Sequence, residues 1–289
     1  MKCFHHNDLD GRAAAVAVLD NFGDYVETCQ INYNIPFPFD QIEKTEAVFI
    51  VDYSIKPEEM ERLLKITKAV TWIDHHKTAI AKYEDFPHKV KGYRSTKYAG
   101  CVLTWIYLNK MLPDKLEPTD EQLEEWYKDV PHFLKLIGDY DTWTFAFPET
   151  NAFHYGALRY DTEPKSEFWH RCVDRSTVVK VGNEGSIVLQ YRDQWAKDYM
   201  KSWAYEVEFE GCTGIAANLA QCGSQYFESF EDKYDLMLPF VWDGKQWTVS
   251  LYTTREHIDV SEIAKKYGGG GHKGAAGFQC ATLPFKPKE

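Results

Sequence analysis

Three short, apolar, β-rich runs lie in the first quarter of the chain, and each ends in a cluster of acids or histidines. The first leads into His6-Asn7-Asp8-Leu9-Asp10-Gly11, the second (residues 47–51) ends at Asp52, and the third (residues 69–73) ends in Asp74-His75-His76. Helix signals fall between them. Residues 12–22 are alanine-rich and stop at Gly23, and Pro57-Glu58-Glu59 opens a second segment with proline followed by acids. The order β-α-β-α-β predicts a mostly parallel sheet with helices on its faces. Ligands of such sheets collect at the carboxyl ends of the strands, and all three polar clusters sit at that end. On an extended backbone alternate side chains share a face, so His6, Asp8 and Asp10 project together, a donor set that suits a divalent cation. Each cluster alone has a plainer explanation: Asp-x-Asp-Gly is ordinary turn chemistry, and Asp52 or His75-His76 could be exposed loop residues. Their coincidence at three strand ends argues for a metal site.

Further along, Ser95-Thr96 are placed to cap a helix running to Leu108, with Ala99, Val102, Leu103 and Ile106 as its apolar stripe. Residues 121–136 read as another helix, interrupted at Pro131. It leads to Asp139-Tyr140-Asp141-Thr142-Trp143, where two more carboxylates stand at a helix exit; they can complete a site or form Asx turns. A helical pattern over residues 184–203 has no strand ahead of it and reads as a connector. Beyond it the pattern turns to strands at residues 214–219, 236–242 and 247–253, the last two forming a hairpin around Asp243-Gly244. A helix starting at Val260 then runs into Gly268-Gly269-Gly270-Gly271-His272-Lys273-Gly274-Ala275-Ala276-Gly277. Glycines there free the backbone for close approach to a ligand, and their amides can cradle an anion, as in a loop that closes onto something.

Composition restricts the function classes. The 289 residues are 44% hydrophobic and 15% aromatic, enough for a substantial core. No apolar run approaches the ~20 residues of a membrane span, and Met1-Lys2-Cys3 opens no signal peptide, so a cytoplasmic protein with no membrane partner is expected. Seven cysteines, an odd number without a C-x-x-C pair, support neither a disulfide framework nor a zinc knuckle, and are expected to be buried thiols. A net charge of -11 argues against a protein that coats long duplex nucleic acid, although clustered ligand carboxylates contribute to that charge and a metal would neutralise a phosphate locally.

Taken in order, H-x-D-x-D-G at residues 6–11, Asp52, Asp74-His75-His76 and the glycine-rich residues 268–277 make the chain resemble the DHH phosphoesterases, in the branch with the DHH-associated C-terminal domain. The resemblance covers nearly the whole chain. It implies an α/β protein with an N-terminal parallel-sheet catalytic domain (residues 1–183), a linker helix (184–205) and a smaller α/β substrate-binding domain (206–289), with the active site in the cleft between the domains. It also implies two divalent ions, manganese as the family's usual ion and magnesium as the other option. His6, Asp8 and Asp52 would hold one ion. Asp10, Asp52, His75 and a carboxylate of the fourth motif would hold the second, with Asp52 bridging; both Asp139 and Asp141 qualify for the fourth position, and Asp141 better matches the Asp-Thr-x-x-Phe form of relatives. Asp74 would orient its neighbours and His76 would face substrate phosphate.

Two ions sharing a carboxylate lower the pKa of a water enough to supply hydroxide at neutral pH, so no protein nucleophile is needed. By the same resemblance Gly269, Gly270, Gly271 and His272 would contact phosphate or nucleotide. Where many relatives have Ser-Leu-Arg-Ser, this chain has Ser250-Leu251-Tyr252-Thr253. Arg255 or Lys273 would then replace the missing arginine clamp, and Tyr252 could stack on a base. The expected activity is hydrolysis of short oligonucleotides or small nucleotides, as by a nanoRNA exonuclease, a phosphodiesterase or a nucleotide phosphatase. The alternatives are an inorganic pyrophosphatase or exopolyphosphatase, and a protein that sequesters a nucleotide without turnover. A homodimer is compatible with all three.

Overall fold

A computed structural model describes residues 1–33, 35–110, 118–230 and 232–288. The chain divides into two compact units, Met1–Leu189 and Gln190–Glu289.

The first unit begins with β1 (Lys2–His6), α1 (Leu9–Phe22), β2 (Glu27–Ile31), β3 (Val48–Val51), α2 (Pro57–Ile66) and β4 (Val70–Ile73). Their sheet has the order β2-β1-β3-β4 and every pairing in it is parallel. Such strands are covered on both faces, and their side chains alternate accordingly. Cys3, Phe49, Val51 and Ile73 pack with the alanine face of α1, whereas Phe4, Val48, Ile50, Val70 and Trp72 pack with Met60, Leu63 and Leu64 of α2. The strand order changes its sense of winding between the parallel neighbours β1 and β3, and His6 ends the first of these strands while Asp52 follows the second. β2 was not legible in the sequence, because only one of its residues is buried.

Then follow α3 (Lys77–Ala81), α4 (Gly100–Asn109), α5 (Asp120–Tyr127), α6 (His132–Asp141), α7 (Thr150–Ala157), α8 (Glu167–Cys172) and α9 (Arg175–Trp203). Three expectations need correction. The helix expected from Ser95-Thr96 begins at Gly100 with Ala99 at its cap position, since residues 91–95 are held by bridges to β4 and its end. The segment interrupted at Pro131 is two separate helices, and the second continues through Asp141, so that Asp139 and Asp141 lie in its last turn and not beyond it. The connector helix starts at Arg175, well before residue 184, and the division between the units falls inside it.

The second unit contains β5 (Tyr205–Phe209), β6 (Cys212–Asn218), β7 (Leu236–Trp242), β8 (Trp247–Tyr252), α10 (Val260–Lys266), β9 (Gly270–His272) and β10 (Ala275–Cys280). Its sheet order is β5-β6-β7-β8-β10-β9, with β6–β7 parallel and the other pairs antiparallel. One face packs on Val260, Ile263 and Ala264 of α10 and the other on Met200 and Phe227. The glycine-rich stretch is therefore an edge hairpin and not an open loop. All seven cysteines are free, but Cys29, Cys212 and Cys280 are only half-buried. No helix among the described residues is long and apolar enough to cross a membrane.

Candidate metal centre

β1 is short and ends at His6, after which Asp8 caps α1 by accepting the Gly11 amide on Oδ1 at 2.8 Å. The turn is tight enough that a Cβ on residue 11 would lie 2.5 Å from the His6 carbonyl oxygen, which is why glycine ends the motif. Strand alternation sends His5 the other way: it is buried, and its Nδ1 meets the His6 carbonyl at 2.7 Å. β3 ends one residue before Asp52, which adopts a left-handed φ of 51°, a conformation that Asp and Asn tolerate better than other non-glycine residues. β4 ends one residue before Asp74.

Three groups of potential ligands result: His6, Asp8 and Asp52; Asp10, His75 and Asp141; and Asp52, His75 and His76, each with its donor atoms within 4.8 Å of one another. His6 Nδ1 is 2.5 Å from Asp8 Oδ2. His75 Nε2 lies 3.2 Å from Asp52 Oδ1, 3.3 Å from Asp141 Oδ2 and 3.8 Å from Asp10 Oδ2. Both carboxylate oxygens of Asp52 and His75 Nε2 are buried without any hydrogen-bond partner. Leaving such atoms unsatisfied is costly, and a cation coordinated among them removes the cost. The donors are imidazole and carboxylate with no thiolate, which fits manganese or magnesium better than a closed structural zinc site.

The electrostatics agree. Burial, reinforced by Asp10, Asp8, Asp141 and Asp74, holds the Asp52 carboxyl well above the usual range, and burial with Asp10, Asp8 and Asp74 does the same to Asp141. Burial raises Asp8 too, but the His6 hydrogen bond and charge outweigh it and leave Asp8 below the usual range. Burial lowers His75, which favours the neutral imidazole that ligates metals. Asp74 is fully buried. Its Oδ1 accepts the His75 and His76 amides at 2.8 and 3.3 Å and pairs with His76 Nδ1 at 2.6 Å, so that His76 is raised despite its burial.

Asp139 is turned elsewhere. Its carboxylate accepts the amides of Ala146 (2.8 Å) and Phe147 (3.2 Å) and the Thr150 hydroxyl, tying the loop after α6 to the helix. The ligand group at this end contains Asp141. Asp139→Ala would strand two backbone donors, so a loss of about 2–4 kcal/mol is expected by denaturant unfolding, with the number of bound metal ions unchanged.

The second-unit residues make their contacts within their own unit. Tyr252 donates its hydroxyl to the Cys222 carbonyl at 3.3 Å, and Arg255 donates to the Asp232 carbonyl at 2.8 Å, with Asp235 at 3.9 Å. Gly269 precedes β9, Gly270, Gly271 and His272 form it, and Lys273 follows in the turn; the last four are exposed.

Several contributors left no trace in the sequence. The amides of Gly100 and Cys101 at the start of α4 donate to Asp10 Oδ2 and Oδ1 at 2.7 and 2.9 Å, fixing that carboxylate. Tyr33 packs its ring 5.2 Å from that of His6, and its hydroxyl accepts the Ser54 amide at 3.2 Å. His154, whose pKa burial pushes down to about 4, stacks on Tyr140.

No family model matches the chain. It is 28% identical over 271 residues to the uncharacterized protein R106 of Acanthamoeba polyphaga mimivirus, a match covering 88% of the chain and 58% of that protein. It is 26% identical over 298 residues to the oligoribonuclease NrnB of Bacillus subtilis, covering 95% of the chain and 71% of the relative. The chain thus spans little more than half of the viral relative. Among solved structures, exonuclease RecJ bound to manganese superposes with a TM-score of 0.54 over 96% of the chain and 85% of its own, at 14% identity, so the fold is shared. The motif order and the side-chain cluster those motifs build are those the resemblance to the DHH phosphoesterases implies, and the likeness to the bacterial oligoribonuclease and the fold shared with RecJ agree with that resemblance.

Proposed function

We propose that the chain is a metal-dependent phosphoesterase that hydrolyses phosphodiester or phosphomonoester bonds of short oligonucleotides or small nucleotides, with manganese as its working ion. The observation that carries this reading is Asp52, a buried carboxylate with neither oxygen hydrogen-bonded, which belongs to two of the three groups of potential ligands. The bacterial relative, an oligoribonuclease by name, supports the substrate class.

In this reading His6, Asp8 and Asp52 hold one ion, and Asp10, Asp52, His75 and Asp141 the other. Two such ions supply Lewis acidity toward a water and toward the phosphoryl oxygens. The chain's own residues set the geometry. Gly11 fixes Asp8, the start of α4 fixes Asp10, and Asp74 fixes His76 through Nδ1, which leaves Nε2 of His76 to donate to a phosphate oxygen. The raised pKa of His76 keeps that nitrogen protonated for longer as pH rises.

The test is hydrolysis of di- to pentanucleotides with manganese, inorganic pyrophosphate serving as comparator. Asp8→Ala and Asp10→Ala should each lower kcat/KM at least about a thousandfold, the first at a folding cost of ~1 kcal/mol for the lost helix cap. His5→Ala should retain the full metal content. Intact oligonucleotides beside rapidly consumed pyrophosphate would overturn the substrate class, and an Asp10→Ala protein as active as the parent would overturn the site.

A further inference from the structure

Two residues beyond Asp141 the backbone adopts conformations that bulky side chains avoid. Trp143 has φ 56° and Phe145 has φ 52°, both in the left-handed region. The loop is held in this shape from several points: Thr144 N donates to the Asp139 carbonyl at 3.0 Å, Trp143 N donates to the Tyr140 carbonyl at 3.1 Å, and the Asp139 carboxylate takes the Ala146 and Phe147 amides. The outcome is an aromatic shelf. Trp143 meets Phe145 edge-on at 4.8 Å and Tyr140 edge-on at 5.5 Å, and Tyr140 lies flat on His154 at 3.4 Å, yet Trp143 stays 50% exposed. The shelf adjoins the candidate centre along the chain, since Tyr140 precedes Asp141, whose Oδ2 lies 3.3 Å from His75 Nε2.

A scattered exposed aromatic needs no explanation. A tryptophan backed by two rings, one of them stacked in turn on His154, on a loop fixed in a disfavoured conformation two residues from a candidate metal ligand, is preorganised to receive a flat partner. A nucleobase has a π-face for it and an inorganic phosphate chain has none. We propose that Trp143 is a nucleobase-stacking residue, which makes the centre selective for phosphoesters bearing a base next to the reacting phosphate. The proposal rests on the nucleotide reading above and adds the residue that enforces it.

Binding is measured apart from turnover, with a dinucleotide carrying 2-aminopurine and with calcium as a non-catalytic ion. The fluorescence should be quenched on binding to the full chain, quenching should be lost in Trp143→Ala, and Trp143→Phe should retain most of it. In manganese assays Trp143→Ala should raise KM for the dinucleotide by roughly tenfold with kcat within about twofold, and the unaltered protein should show a similarly raised KM for an abasic analogue. Equal quenching in the parent and Trp143→Ala, or a Phe variant as impaired as the Ala variant, would overturn the proposal. Quenching through Trp143 without hydrolysis of any nucleotide would instead overturn the hydrolytic reading and leave the stacking site standing.

Discussion

Asp52→Asn should abolish turnover and at the same time make the metal-free protein more stable. Its carboxylate is 1% exposed and surrounded by Asp10, Asp8, Asp141 and Asp74, and neither of its oxygens has a hydrogen-bond partner. Asparagine keeps the shape, removes the charge and accepts the left-handed φ of 51°, whereas alanine would add backbone strain. The folded pKa lies above the ordinary aspartate value, so the folded state binds the proton more tightly than the unfolded chain. The contribution of this group is therefore fully present below that value and is lost as pH rises through the raised folded pKa. The stability advantage of Asp52→Asn should grow as pH rises from about 4 toward neutrality, reaching roughly 1–2 kcal/mol, or about 2–8 °C in Tm. Manganese should reverse the order. An ion at about 100 times its Kd adds ~2.7 kcal/mol to the protein that binds it, and the variant, deprived of the shared ligand, should gain little. Melting curves of both proteins with chelator and with manganese at several pH values check this. A metal-free variant less stable than the parent at neutral pH would contradict the charge argument, and a retained manganese response would contradict the ligand assignment.

Gly100→Ala should damage the centre although residue 100 offers no ligand. A Cβ there would lie 2.5 Å from Asp52 Cβ and 2.9 Å from Asp10 Oδ2, and neither neighbour is the free end of a flexible side chain. If α4 withdraws, Asp10 loses the two amides that orient it; if Asp52 withdraws, the ligands of both candidate ions separate. The better helix propensity of alanine, worth up to ~1 kcal/mol, opposes an overpacking cost of about 1–3 kcal/mol, so a net stability loss of up to ~2 kcal/mol is expected. Geometry should suffer more, because a displacement on the order of 1 Å is enough to lower turnover about a hundredfold. Manganese affinity by calorimetry should fall at least about tenfold, and the absorption spectrum of a cobalt-substituted sample should change shape. A folded Gly100→Ala protein with unaltered metal affinity and cobalt spectrum would show that α4 does not position the ligands.

Much of the centre was legible because its information is local. His6 ends a strand and Asp8, Asp10, Asp52, His75 and His76 follow strands whose apolar composition marks them, and strand ends of a parallel sheet share one edge, so linear motifs were enough to point to residues that lie together. The glycine-rich stretch was legible as a motif but not as an edge hairpin, because runs of glycine carry no side-chain alternation from which a strand can be read. Likewise β2, half exposed along its length, lacks the apolar run that marks its three neighbours.

What the sequence by itself determined, then, is the parallel α/β arrangement and the histidines and carboxylates gathered at its strand ends, since period-two and helical patterns dictate which side chains can share a face. Only the tertiary structure separated the surroundings of Asp139 from those of Asp141. Both lie in the last turn of α6, and two positions along a helix rotate a side chain by ~200°, so one carboxylate reaches His75 while the other ties down the following loop. Tertiary structure alone also brought the first amides of α4 to Asp10, some ninety residues away, because contacts between elements depend on packing that leaves no periodicity in the chain.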